Sequence, residues 1–177
     1  MRRPLLLALL LAACAGSGVR IGALDQSPAY DPSLVRYVTR LGTMAVEVHG
    51  SPFGSSGGDA APVAAVLSAP GWLGGVRFVP ADIHDRGYRL VLVFGAGAGE
   101  ACSDLPALPQ VSAAAGLHVQ ASFCAGRQVL SSLVADGAAA GAPTDLAFRQ
   151  MMDQVLVNLL PPVNAERIRE SDGSGGM

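Results

Sequence analysis

The sequence predicts an α+β fold, with a four- or five-stranded antiparallel or mixed sheet and two or three helices packed on one face. Three observations carry this. The periodicities run in the order helix, strand, helix, two strands, hairpin, helix. Most strand connections read as hairpins or long Gly- and Pro-containing loops, with no repeated β-α-β rhythm. The last helical stretch carries a broad apolar face.

Each element has its own signature. In "SLVRYVTRLG" (33–42), Ser33 is a candidate cap, and Leu34, Val38 and Leu41 fall at helical spacing. In "TMAVEVHG" (43–50), Met44, Val46 and Val48 alternate with Ala45, Glu47 and His49, which predicts a strand with one buried face. "SPFGSSGGD" (51–59) is a turn-rich loop. A helix follows over 59–69, with Asp59 capping it, Pro62 tolerated in its first turn and Pro70-Gly71 ending it. "VRFVP" (76–80) predicts a short strand, and "YRLVLVFG" (88–95) is apolar enough to be the central one.

Residues 116–137 predict a hairpin: Leu117, Val119, Ala121 and Phe123 alternate, Ala125-Gly126 turns the chain, and Val129 to Leu133 returns. The clearest helix is 144–162. Thr144 or Asp145 caps it, Leu146, Met152, Val155, Leu156, Leu159 and Leu160 form its apolar face, and Pro161-Pro162 stops it. The ending "ESDGSGGM" has the composition of a disordered tail.

Composition narrows the functional classes. Beyond residue 13 the chain has ten arginines, no lysine and fourteen acids, about −4 net, and no basic run. Nucleic acid is therefore excluded as an expected partner. Aromatics are only 5%, so the core is mostly aliphatic.

The N-terminus is the most specific stretch. Arg2-Arg3 precede the unbroken apolar run Leu5–Ala13, which is about half the roughly 20 residues that a membrane-spanning helix needs. The run ends in Leu11-Ala12-Ala13-Cys14, which resembles the lipobox of bacterial lipoproteins. That resemblance implies cleavage before Cys14, a diacylglyceryl thioether on its thiol and acylation of the new amino terminus. Two or three acyl chains anchor a protein stably, at about 0.8 kcal/mol per buried methylene. Ala15 in place of aspartate is similar to outer-membrane-sorted members of that family.

With Cys14 lipidated, Cys102 and Cys124 remain as an even pair. In an exported protein they are expected to form a disulfide, with two free buried thiols as the alternative. The expected organisation is signal peptide 1–13, lipidated cysteine and flexible tether 14–33, one α+β domain 34–162, and disordered tail 163–177.

Catalytic motifs are weak. Gly54-Ser55-Ser56-Gly57-Gly58 satisfies G-x-S-x-G, the pattern that lifts a nucleophilic serine above a sheet, with His84 or His118 as base. Pro52 and Phe53 break the preceding strand too early for that elbow. Gly95, Gly97 and Gly99 follow a strand, but Pro106 and Pro109 follow them where a phosphate-binding motif needs a helix. Asp82, His84, Asp85 and His49 are candidate metal ligands, yet a histidine in a turn is usually solvated.

Phe53 and Trp72, each flanked by Gly and Pro, are the candidate partner-binding residues; the simpler role for each is to plug the core. The expectation is a membrane-anchored envelope lipoprotein that binds or scaffolds an envelope protein, without catalysis or cofactor. Its element order loosely resembles that of auxiliary lipoproteins of envelope transport and assembly machines. The alternative class is an envelope hydrolase or metal-dependent enzyme.

Overall fold

A computed structural model describes residues 18–53, 59–81, 87–95, 101–103 and 116–164. These residues form an α+β domain built on one mixed six-stranded sheet with three helices. The strands are β1 (Arg20–Gln26), β2 (Thr43–His49), β3 (Arg77–Pro80), β4 (Tyr88–Phe94), β5 (Leu117–Ala125) and β6 (Gln128–Gly137), in the spatial order β1-β6-β5-β4-β2-β3. The helices are α1 (Pro32–Val38), α2 (Ala60–Val66) and α3 (Leu146–Leu159), with a short 3₁₀ turn at Gly71–Leu73.

The sheet is antiparallel from β1 to β4 and parallel where β2 lies between β4 and β3. The chain passes from β2 through α2 to its parallel neighbour β3. This β-α-β crossover makes the sheet mixed, one of the two alternatives the sequence left open. Parallel neighbours need such a crossover, because a tight turn cannot reverse the chain twice.

All three helices send side chains into one core. Val35 of α1, Val63 and Ala64 of α2, and Phe148, Met151, Met152, Val155, Leu156 and Leu159 of α3 pack with Met44, Val46, Leu90, Leu92, Val119, Ala121, Phe123, Leu133 and Ala135 of the sheet. Helices on one face were expected. β4 is buried on both faces from Arg89 onward, as the apolar run Leu90–Phe94 demands. On the opposite face Val91, Val93, Ala101, Cys102 and Cys124 form a second, smaller cluster.

Several expectations need correction. The supposed tether 14–33 contains β1, which pairs with β6 along its backbone. Its side chains are mostly exposed, and the register shifts between Gly22 and Asp25, where Ala23 has φ +46°. A strand held by backbone pairing at a sheet edge, with little side-chain burial, leaves no alternation to read. Tyr30, also in that segment, is fully buried, and its hydroxyl donates to the Pro161 carbonyl at 2.7 Å. Burial, reinforced by the nearby Asp31 charge, pushes its phenol well above the usual tyrosine range.

α1 is capped by Asp31, whose carboxylate accepts from the Ser33 amide at 2.8 Å, so Ser33 is not the cap. The helix stops at Val38, before Leu41, which is 81% exposed. In α3 the cap is Asp145, and Leu146 is exposed while Phe148 and Met151 take the inner face.

Gly50 ends β2 at φ +73°, and a Cβ there would collide with the Phe94 carbonyl oxygen. Gly42 has a similar φ of +77° with open space around it. Gly50→Ala should therefore cost about 2–3 kcal/mol, and Gly42→Ala only about 1 kcal/mol. Urea midpoints of the two variants, measured side by side, check this. Equal losses would mean that crowding at Gly50 is relieved by a small backbone shift.

Candidate functional site

The face of the sheet away from the helices holds an unusual group of charges. Glu47 and His49, two residues apart on β2, point to the same side. Arg89 enters from β4, directly beside Ala45 in the parallel register. Its Nε donates to Glu47 Oε2 at 2.6 Å, and His49 Nε2 lies 2.6 Å from Glu47 Oε1. One carboxylate is thus shared by a guanidinium and an imidazole. Arg89 is 2% exposed and Glu47 7%, which corrects the expectation that Glu47 sits on the wet face of its strand.

The rest of the guanidinium is spent on backbone. Nη1 donates to the Gly126 carbonyl at 2.9 Å and to Gly87 at 3.4 Å, and Nη2 reaches Cys102 at 3.4 Å. A buried charge survives only with such partners. Arg89 therefore ties together β2, the β5–β6 turn and the segment around Cys102. His49 forms the solvent-side end of the chain of charges.

Cys102 and Cys124 are bonded. Cys124 is the neighbour of Arg89 on β5, at the start of β4, whereas β4 ends where Phe94 meets Val119. Cys102 therefore lies near the start of β4, about 17 Å or five strand residues back from Phe94. The disulfide holds Ala101 and Cys102 against Val91 and Val93. Ser122, on the same face and opposite Val91, is 1% exposed, and its hydroxyl has no hydrogen-bond partner among the described residues.

The residues singled out from sequence fall in different places. Phe53 lies against Phe148, ring centroids 5.0 Å apart, and is half-buried on the core. Trp72 is also half-buried, and its indole N–H donates to the Leu160 carbonyl at 2.9 Å. Both cover the core at separate positions, and neither forms part of the Arg89 group. His118 faces Asp136 across the β5–β6 hairpin at 2.7 Å in an exposed pair. Cys14, Ser56, Asp82, His84, Asp85, Gly97 and Gly99 lie outside the described residues.

Sequence reasoning missed the Arg89–Glu47 pair, although a signal was present. Arg89 interrupts the apolar run "YRLVLVF", and a central strand can hold an arginine only if an acid is buried beside it.

Fold and site together define the class: an α+β domain whose mixed sheet carries a helical layer on one face and, on the other, the buried charges of β2 and β4 beside a disulfide-held segment. No protein-family model, curated protein or solved structure matches the chain.

Proposed function

We propose that the protein is a membrane-anchored envelope lipoprotein whose domain acts as a non-enzymatic binding or scaffolding module. The observation that carries this is the cysteine pairing. Cys102 and Cys124 are spent on each other, which supports an oxidising, exported compartment. That leaves Cys14, behind its Leu-Ala-Ala, as the cysteine open to lipid. The charges around Arg89 are committed to holding the fold, which favours a structural use over a catalytic one.

Growth with an alkyne-tagged fatty acid in a bacterial host tests the anchor. The full-length protein should take up the label and fractionate with membranes. Cys14→Ser should lose the label, retain its first thirteen residues and keep the domain's thermal transition. Label retained in Cys14→Ser, or none in the wild type, overturns the proposal.

A further inference from the structure

The strand registers give the domain two distinct ends. Arg20, Asp136, His118 and His49 lie at one end of the sheet, and Gln26, Thr43, Arg77, Tyr88 and Gly126 at the other. On the lipoprotein reading, Cys14 is six residues before Arg20, so a fully stretched link spans about 20 Å. β1 itself is about as long. The Arg20 end is therefore held toward the bilayer and the Arg77 end away from it.

The outward end has a distinctive surface. Arg36 on α1 stacks over Trp72 at 5.3 Å. Arg40 lies over the Tyr37 ring at 4.1 Å and donates to the Tyr37 carbonyl at 2.9 Å. The Arg77 amide donates to Gly42 at 2.9 Å and ties the start of β3 to the link between α1 and β2. Beside Arg36 and Arg40 stand Tyr37, 60% exposed, and Leu41, 81% exposed. Residues 32–46 and 60–81, which build this surface, contain no Asp or Glu, although the whole chain is net negative at −2.

From this we infer that the surface formed by Arg36, Tyr37, Arg40, Leu41 and Trp72 docks an acidic protein segment that also carries apolar side chains. Arginines already stacked on aromatic rings lose little freedom on binding and present planar forks to carboxylates. Leu41 and Tyr37 supply apolar area between those forks. The placement opposite the anchor favours a protein in the compartment over the lipid surface. The chain's own residues beyond Asn164 continue from this end, but their Arg167 and Arg169 nearly offset Glu166, Glu170 and Asp172.

The test uses the purified full-length protein in neutral detergent and a fluorescein-labelled peptide of repeated Glu-Glu-Leu-Asp-Phe units, read by anisotropy. Trp72 is the chain's one tryptophan, so its emission gives a second readout. Saturable binding is expected, weakened about five- to tenfold in Arg36→Gln/Arg40→Gln and weakened again by salt. Both side chains are exposed, so the variant should keep its thermal transition. The inference is overturned if the acidic peptide shows no saturable binding up to about 1 mM, a useful ceiling for a weak site, or if the variant binds it equally well. It is also overturned if phosphatidylglycerol vesicles or a single-stranded oligonucleotide bind in its place. The alkyne label on Cys14, scored on the same preparation, separates the two ideas: lipidated protein that ignores the peptide sinks only the surface, and unlipidated protein that binds it sinks only the anchor.

Discussion

Exchange of Glu47 for alanine is expected to cost the fold about 3–5 kcal/mol, because it leaves the Arg89 guanidinium buried without its carboxylate. The carbonyls of Gly126 and Cys102 would still accept hydrogen bonds, but neither neutralises a charge. Set against a total stability of about 5–15 kcal/mol for an ordinary domain, the loss is large. Urea unfolding of wild type, Glu47→Ala, Arg89→Met and the double variant gives the coupling between the two residues. The double variant should unfold with much less penalty than the two single losses added together, since it removes both charges at once. A Glu47→Ala loss below about 1 kcal/mol would instead place the pair among ordinary exposed ion bridges.

Removing the disulfide as Cys102→Ala/Cys124→Ala should lower stability by about 3 kcal/mol on chain-entropy grounds, for a sequence separation of 22 residues. In a domain of this size that is a fall of about 10 °C in Tm. The same change frees the segment whose Cys102 carbonyl accepts from Arg89. The disulfide and the Glu47–Arg89 pair should therefore be coupled, and combining Glu47→Ala with the cysteine variant should not give the sum of the two losses. Calorimetry of the four proteins measures both quantities. An unchanged Tm in the cysteine variant would show that the surrounding packing alone holds the segment in place.

Much of the fold was legible because its elements follow their local periods. β2 and β5 alternate, β4 is apolar from Leu90 to Phe94, Gly126 turns the hairpin at φ +60°, and α3 repeats its buried residues every three or four positions. The errors fall where the local period was the wrong guide. Leu41 and Leu146 match a helical stripe, but each lies just at or beyond a helix end, and the chain turns them into solvent. β1 has no stripe because its stabilisation comes from the β6 backbone. Phe53 and Trp72 were legible as residues of note. Their packing against Phe148 and the end of α3 depends on partners 95 and 88 positions away, which no local pattern records.

The sequence by itself determined the α+β class, the hairpin and the C-terminal helix, since each depends on residues close together in the chain. Tertiary structure alone decided that β2 lies parallel between β3 and β4, that the segment before Tyr30 joins the sheet, and that Glu47 and Arg89 are buried together. The physical reason is that a side-chain period specifies only which face of an element is apolar. Which strand becomes its neighbour, and what covers its other face, is settled by contacts between residues far apart in sequence.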